Sequence, residues 1–269
     1  MHTLPRVAMN SHSAAGEMSQ HGSNQNGDRF PPTSWSVIGA AHSVDPAERA
    51  RAMDRLCQAY WKAVYKYIRL RWNRPIDDTQ DLTQGFFVEL IERSLLAKYD
   101  PAKSRLRTYL RVCVDSFVMN EEKAAKRRKR GGNIQHVALD FTSAEQELGT
   151  AAIDPAAIPC PESLERFFEK EWLRSLFGLA VEELRDRCEQ EQRGTTFRLF
   201  EAYDLAGDDS VSYQHLAQDF GIPVTDVTNA LSWARREFRR ISLGRLREIC
   251  GSEAEFQREA RAVFGWVPK

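Results

Sequence analysis

The sequence predicts an all-α protein made of two small helical domains joined by a linker. Apolar residues recur at three- and four-residue steps through several long segments, which is the spacing of one buried helix face. Proline- and glycine-containing breaks separate these segments, and no stretch alternates apolar and polar residues as a half-buried strand would. The 269 residues are enough to form two separate cores.

Composition divides the chain into five segments. The N-terminal residues are polar and lack apolar periodicity, so we expect a disordered tail there. A stretch rich in proline, glycine and small residues has the composition of a linker. The predicted segments are the tail 1–33, a first helical domain 34–132, the linker 133–161, a second helical domain 162–250 and a C-terminal helical extension 251–269.

Turn and cap signals set the helices of the first domain. One helix is predicted from Asp45 to Trp72, because the residue before Pro75 is disfavoured in helical geometry. Asp77 or Asp78 is expected to cap a second helix, and a third runs from about Ser104 to Lys129. In the C-terminal extension, Ser252 and Glu255 have the spacing of a capping box and predict one more helix, ending at Phe264.

The formal net charge of zero hides a segregated distribution. Residues 41–130 contain 20 basic and 12 acidic residues, whereas residues 141–190 contain 5 basic and 11 acidic ones. Residues 224–248 are basic again, with 6 positive and 3 negative side chains. Two basic segments separated by an acidic one predict two contacts with a polyanion.

Several classes of protein are disfavoured by what the sequence lacks. The six histidines show no metal or triad spacing and no glycine-rich phosphate loop occurs, so we expect no catalytic residue, metal or cofactor and do not expect an enzyme. The five cysteines are scattered, which fits idle thiols in a reducing cytoplasm. Apolar runs are too short to cross a bilayer, so no membrane association is expected.

Residues 211–240 have the pattern of a helix-turn-helix. Ser212 can cap a first helix, Ala217 is small enough for a second helix to cross closely, and Gly221 suits the positive φ of the turn. A second helix is expected to open at Thr225, with short polar side chains placed to reach base edges and arginines to reach phosphates. The predicted DNA-reading residues are Thr225, Thr228, Asn229, Ser232, Arg235 and Arg236. The alternative is a solvated helical hairpin.

Two further surfaces are predicted in the first domain. Between Lys98 and Arg111, basic residues alternate with Tyr99 and Tyr109, a combination that suits single-stranded nucleic acid because rings stack on unpaired bases. Tyr109 could equally be a core residue, and the basic run 123–130 could be a solvated helix end. The second helix instead has an acidic outer surface that suits a basic protein partner, or is idle. Its members are Asp77, Asp78, Asp81, Gln84, Glu89 and Glu92.

These residues resemble a family. Asp78-Thr-Gln-Asp81-Leu-Thr-Gln-Gly-Phe86-Phe87 looks like the second region of the extracytoplasmic-function (ECF) sigma factors, which give bacterial RNA polymerase its promoter specificity. The segment Tyr60 to Leu70 and the segment Arg105 to Leu110 stand where that pattern places them, and the helix-turn-helix stands where the family has its fourth region. The family's tryptophan before the −10 helix is Tyr109 here.

The resemblance implies partners and roles. The partners would be promoter DNA and core RNA polymerase, through its β′ clamp helices and β flap, with an anti-sigma factor or other regulator as a further partner. Polymerase would be bound by Asp78, Asp81, Gln84 and Phe87. The −10 element would be bound by Lys103, Arg105, Arg107, Tyr109, Asn120, Lys123, Lys126 and Arg127, and the −35 element by the DNA-reading residues given above.

The sequence leaves one alternative function open. A helix-turn-helix regulator that binds duplex DNA without acting as a polymerase subunit would have the same second domain. Such a regulator needs neither the acidic helix nor the aromatic and basic loop, so these two features favour the sigma factor.

Overall fold

The computed structural model describes residues 37–41, 43, 45–125, 139–150, 161–207 and 210–265, and within these ranges every regular element is a helix. This confirms the all-α class. The α-helices are α1 (Val37–Ala40), α2 (Pro46–Trp72), α3 (Ile76–Glu92), α4 (Leu106–Ala125), α5 (Phe141–Thr150), α6 (Pro161–Gln190), α7 (Gly194–Phe200), α8 (Tyr213–Phe220), α9 (Val224–Ile249) and α10 (Glu253–Phe264). A 3₁₀ turn spans Leu95–Lys98, and a π-helical turn spans Glu201–Leu205.

Local signals explain several helix ends. The side chain of Asp45 accepts a hydrogen bond from the Ala47 amide at 2.9 Å and caps α2, which ends at Trp72 as expected. The residue before α3 is Pro75, so Asp77 and Asp78 lie in the first turn of that helix and do not cap it. Their negative charges there interact favourably with the positive N-terminal end of the helix dipole.

The first core surrounds α2. Tyr60, Val64 and Ile68 are almost fully buried, and they pack against α3, α4, α5 and the first half of α6. Trp172 of α6 stacks on Tyr60 with ring centroids 6.1 Å apart. The end of α9 and the whole of α10 complete this cluster through Leu246, Phe256 and other buried residues.

The second core holds the helix-turn-helix together. Val227, Leu231 and Phe238 of α9 are buried against α8, α7 and the second half of α6. Phe200 packs on Phe238 with ring centroids 5.6 Å apart. This cluster fixes the angle at which the first turns of α9 face solvent.

Part of the segment predicted to be a linker belongs to the first core. The segment 133–161, expected to be a linker, contains α5, whose Phe141 and Ala144 are buried against α2. Four charged or hydroxyl side chains of α2 hold the outer face of α5: Lys62, Tyr65, Lys66 and Arg69 bond to Glu145 or Glu147. The helix is capped locally by Asp140, which accepts from the Ser143 amide, and contacts with α2 hold it in the first core.

Two long helices cross from one core to the other. The first half of α6, up to Leu176, belongs to the first core, and residues from Ala180 onward belong to the second. In α9 the order is reversed, with Ile241 in the second core and Leu246 in the first. An exposed glycine lies at each crossing, Gly178 in α6 and Gly244 in α9, and a Cβ at either would meet nothing within 4 Å.

No helix in the described ranges is long and apolar enough to cross a membrane.

Candidate nucleic-acid interface

The turn between α8 and α9 has the geometry that the sequence predicts. The Ser212 hydroxyl accepts a hydrogen bond from the His215 amide at 3.1 Å and caps α8. Gly221 has a φ of 63°, which a side chain would strain, and the Ile222 amide donates to the Ala217 carbonyl at 3.0 Å. The helix-turn-helix backbone is therefore closed by local bonds.

The first turns of α9 present an open polar face. Val227 and Leu231 point into the second core with no exposed area, so the opposite side of the helix faces solvent. The exposed residues of the predicted set are Thr225, Thr228, Asn229, Ser232 and Arg236. Hydroxyl and amide side chains at the N-terminal end, followed by a guanidinium further along, suit base edges and a phosphate respectively.

Arg235 departs from its predicted role. Its Nε lies 3.0 Å from Oδ2 of Asp204, whose side chain has no exposed area, and its Nη1 donates to the Tyr213 hydroxyl at 3.0 Å. The π-helical turn places Asp204 there, and the desolvation that lowers the pKa of Arg235 is outweighed by these contacts, which raise it. Arg235 therefore joins α9 to the preceding turn, while its neighbour Arg236 faces solvent.

The acidic face of α3 is smaller than the sequence suggests. Asp78 and Asp81 are exposed, as predicted for a docking surface. Gln84 and Phe87 are 7 % and 1 % exposed, because the helix turns them toward α2 and α4. These two residues support α3 from inside the core and do not offer a contact surface in this arrangement.

Three of the residues predicted to bind the −10 element are open to solvent. Lys103 has 82 % of its side chain exposed, although it lies 3.3 Å from Asp100. Asn120 and Lys123 are exposed on the last turns of α4. Lys126 and Arg127 lie outside the described residues.

The other three have partners within the protein. Arg107 is 6 % exposed, lies over the Trp172 ring at 4.9 Å, and pairs with Glu169 and Glu259. Arg105 lies 3.2 Å from Glu259, but 43 % of its side chain is exposed. The Tyr109 hydroxyl donates to the Leu95 carbonyl at 2.6 Å, and its ring lies 5.3 Å from that of Tyr99. Arg107 and Tyr109 are therefore not free to receive an unpaired base.

The sequence did not predict that two acidic residues of α10 occupy this region. Glu255 and Glu259 of α10 are 1 % and 3 % exposed, although glutamate is rarely buried. One oxygen of Glu255 accepts from the Tyr99 hydroxyl at 2.5 Å and from the Leu106 amide at 2.9 Å, and the other accepts from the Gly251 amide at 2.7 Å. Their i, i+4 spacing beside Phe256 and Ala260 was the available signal, because it puts two acids on the apolar face.

Burial has an electrostatic consequence for α10. Burial raises the pKa of Glu259 above its usual value, although Arg107 and Arg105 act to lower it. The charged carboxylate is therefore held there at a desolvation cost that its two arginine partners offset only in part.

Nothing in the described part of the chain resembles a metal site, and its four cysteines there are free thiols. Comparison with protein-family models, with curated proteins and with solved structures finds no match to this chain. The site must therefore be interpreted from its own residues.

Proposed function

We propose that this chain is a sigma factor of the ECF type, which binds bacterial core RNA polymerase in the cytoplasm and directs promoter recognition and opening at −10 and −35 elements. The observation that carries the proposal is the presence on one chain of two chemically opposite surfaces. The exposed hydroxyl and amide side chains of α9, with the Arg236 guanidinium, suit duplex DNA, and the exposed carboxylates of Asp78 and Asp81 on α3 suit a basic protein partner.

The exposed end of α4 adds a third element. Lys123 and Asn120 lie on the same side of α4 as Ser116. In the sequence, α4 is followed by the basic run up to Arg130. Cations and amides of this kind contact a nucleic-acid backbone. A chain with a duplex-reading helix and a separate basic helix is suited to hold two promoter elements at once.

A second candidate function has an observation in its favour. A helix-turn-helix regulator that binds duplex DNA without polymerase would need only the open face of α9. The engagement of Arg105, Arg107 and Tyr109 within the protein fits such a regulator, because those residues would then have a purely structural role.

Run-off transcription with purified core polymerase separates the two functions. The sigma factor should support initiation from specific start sites on fragments of its own genome, and core polymerase alone should not. Duplex binding without initiation would contradict the proposal and support the regulator.

Replacing Arg236 by alanine is expected to weaken duplex binding without affecting folding. The exposed guanidinium contributes about one phosphate contact, so the slope of log affinity against log salt should become shallower by about 0.9. Fluorescence anisotropy with a labelled duplex at several salt concentrations measures both quantities.

Arg235→Ala is the matched comparison, one position away. It removes an ion-pair partner of the buried Asp204 carboxylate, so it should lower the melting temperature, which Arg236→Ala should leave unchanged. If Arg236→Ala left the salt dependence unaltered, α9 would not be the DNA-binding helix.

A further inference from the structure

The N-terminal end of α4 is built to hold negative charge. The Leu106 amide lies in the first turn of α4, where backbone amides have no partner within the helix. The Tyr99 hydroxyl lies beside it, and Arg105 and Arg107 flank it. These are the donor types that hold a phosphate.

In this structure the negative charge comes from the chain itself. Glu255 bonds to the Leu106 amide and to Tyr99, and Glu259 pairs with both arginines. Outside the carboxylate pair, Arg258 donates to the Pro101 carbonyl at 2.8 Å and ties α10 to the loop before α4. Helix α10 therefore covers most of the donors at this end of α4.

We propose that α10 is an autoinhibitory helix, whose Glu255 and Glu259 carboxylates occupy the place of a single-stranded DNA backbone on α4 and must leave before DNA can bind there. The inference rests on the proposed function, since that function gives α4 a single strand to bind.

Docking of α10 has an electrostatic cost and an apolar gain. Burial raises the pKa of Glu259, so its carboxylate is docked at a desolvation cost, whereas Phe256 and Ala260 of the same helix are buried in the first core and favour docking. A DNA strand that supplies phosphates to Arg105 and Arg107 would replace their ion pairs with Glu259, while Glu169 of α6 stays beside both guanidinium groups. Docking and DNA binding therefore compete for the same two guanidinium groups.

The test uses the full-length chain and a fluorescein-labelled single-stranded DNA of 20 nucleotides in mixed sequence. In the variant Glu255→Gln/Glu259→Gln, the side-chain amide at each position replaces a carboxylate that accepts from several donors. The docking of α10 on α4 should therefore weaken. We expect this variant to bind the strand on the order of tenfold more tightly than the wild type. Its salt dependence should steepen by about 0.7 for each arginine that is released.

Asp186→Asn/Glu189→Gln is the matched control, because it removes the same two charges from exposed positions on α6. The affinity of this control for single-stranded DNA should stay within about twofold of the wild type. The comparison separates the release of α10 from a general effect of removing two negative charges. Hydrogen exchange on the wild-type chain gives a second measurement that needs no substitution. Saturating single-stranded DNA should speed amide exchange over Glu253–Phe264.

The proposal is overturned if the folded double variant binds DNA no more tightly than its control, or if DNA leaves exchange in α10 unchanged or slower. If the variant does not fold, the exchange measurement decides. Neither assay contains polymerase, so the outcome is independent of run-off transcription. If the chain initiates transcription but the double variant binds single-stranded DNA no more tightly, only the autoinhibitory role of α10 is contradicted. If the double variant binds more tightly but the chain does not initiate transcription, only the sigma function is contradicted.

Discussion

A chain in which Asp78 and Asp81 are both replaced by lysine is expected no longer to co-purify with core RNA polymerase. Both carboxylates are exposed on one side of α3, and the change replaces two negative charges by two positive ones on a surface proposed to meet a basic partner. Like charges placed opposite each other at an interface cost several kcal/mol, which reduces binding by at least about a hundredfold. Affinity capture of polymerase on the immobilised chain measures the loss.

The control for this variant is Asp186→Lys/Glu189→Lys. It makes the same change of charge at the same i, i+3 spacing on an exposed part of α6. This chain should capture polymerase as well as the wild type. Retention of polymerase by Asp78→Lys/Asp81→Lys would exclude α3 as the docking helix, whatever the promoter assays show.

Replacing Lys66 by methionine is expected to lower the free energy of unfolding by roughly 3–5 kcal/mol. The Lys66 ammonium is 2 % exposed and lies 2.6 Å from Glu171 of α6 and 2.6 Å from Glu147 of α5. Glu171 is itself 1 % exposed, so loss of the lysine leaves a buried carboxylate with less compensation. Urea unfolding followed by circular dichroism measures the change.

Lys62→Met is the comparison that isolates burial. Lys62 lies one turn earlier on α2 and pairs with the same Glu147 at 2.8 Å, but 29 % of its side chain is exposed. Its replacement should cost no more than about 1 kcal/mol. Equal losses in the two variants would mean that the buried pair does not join α2 to α6. Addition of Glu171→Gln to Lys66→Met should recover part of the loss, because it removes a buried carboxylate that has lost Lys66 and retains only its contact with the partly exposed Arg174 among the pairs described.

The sequence predicts the features that short-range chemistry decides. The Ser212 cap, the left-handed Gly221 and the end of α2 at Trp72 each depend on neighbours within a few residues, and the structure has all three. The Ser252 cap of α10 is present for the same reason, with its hydroxyl accepting from the Glu255 amide at 3.1 Å. Such signals can be recognised without knowing the fold.

Features that depend on distant residues were not predictable in the same way. Periodicity placed Arg235 on the outer side of α9, but it could not show that a π-helical turn 31 residues earlier brings Asp204 against it. Likewise, α5 has a local cap, since Asp140 accepts from the Ser143 amide at 3.1 Å, but its place in the first core depends on side chains of α2 about 80 residues away. For Glu255, the same residue type can bond to a local amide or to a distant one, and here it does both, with Gly251 and with Leu106.

The two glycines at the core crossings make α6 and α9 locally weaker between the two cores. Alanine would fit at Gly178 and Gly244 and would favour each helix by about 1 kcal/mol, so glycine there lowers helix stability without any gain in packing. Bending at these points would tilt the end of α9 that is proposed to read DNA while leaving both cores intact. The orientation of that end and the packing of the cores would then depend on different residues, the two glycines for the first and the buried side chains of α6 and α9 for the second.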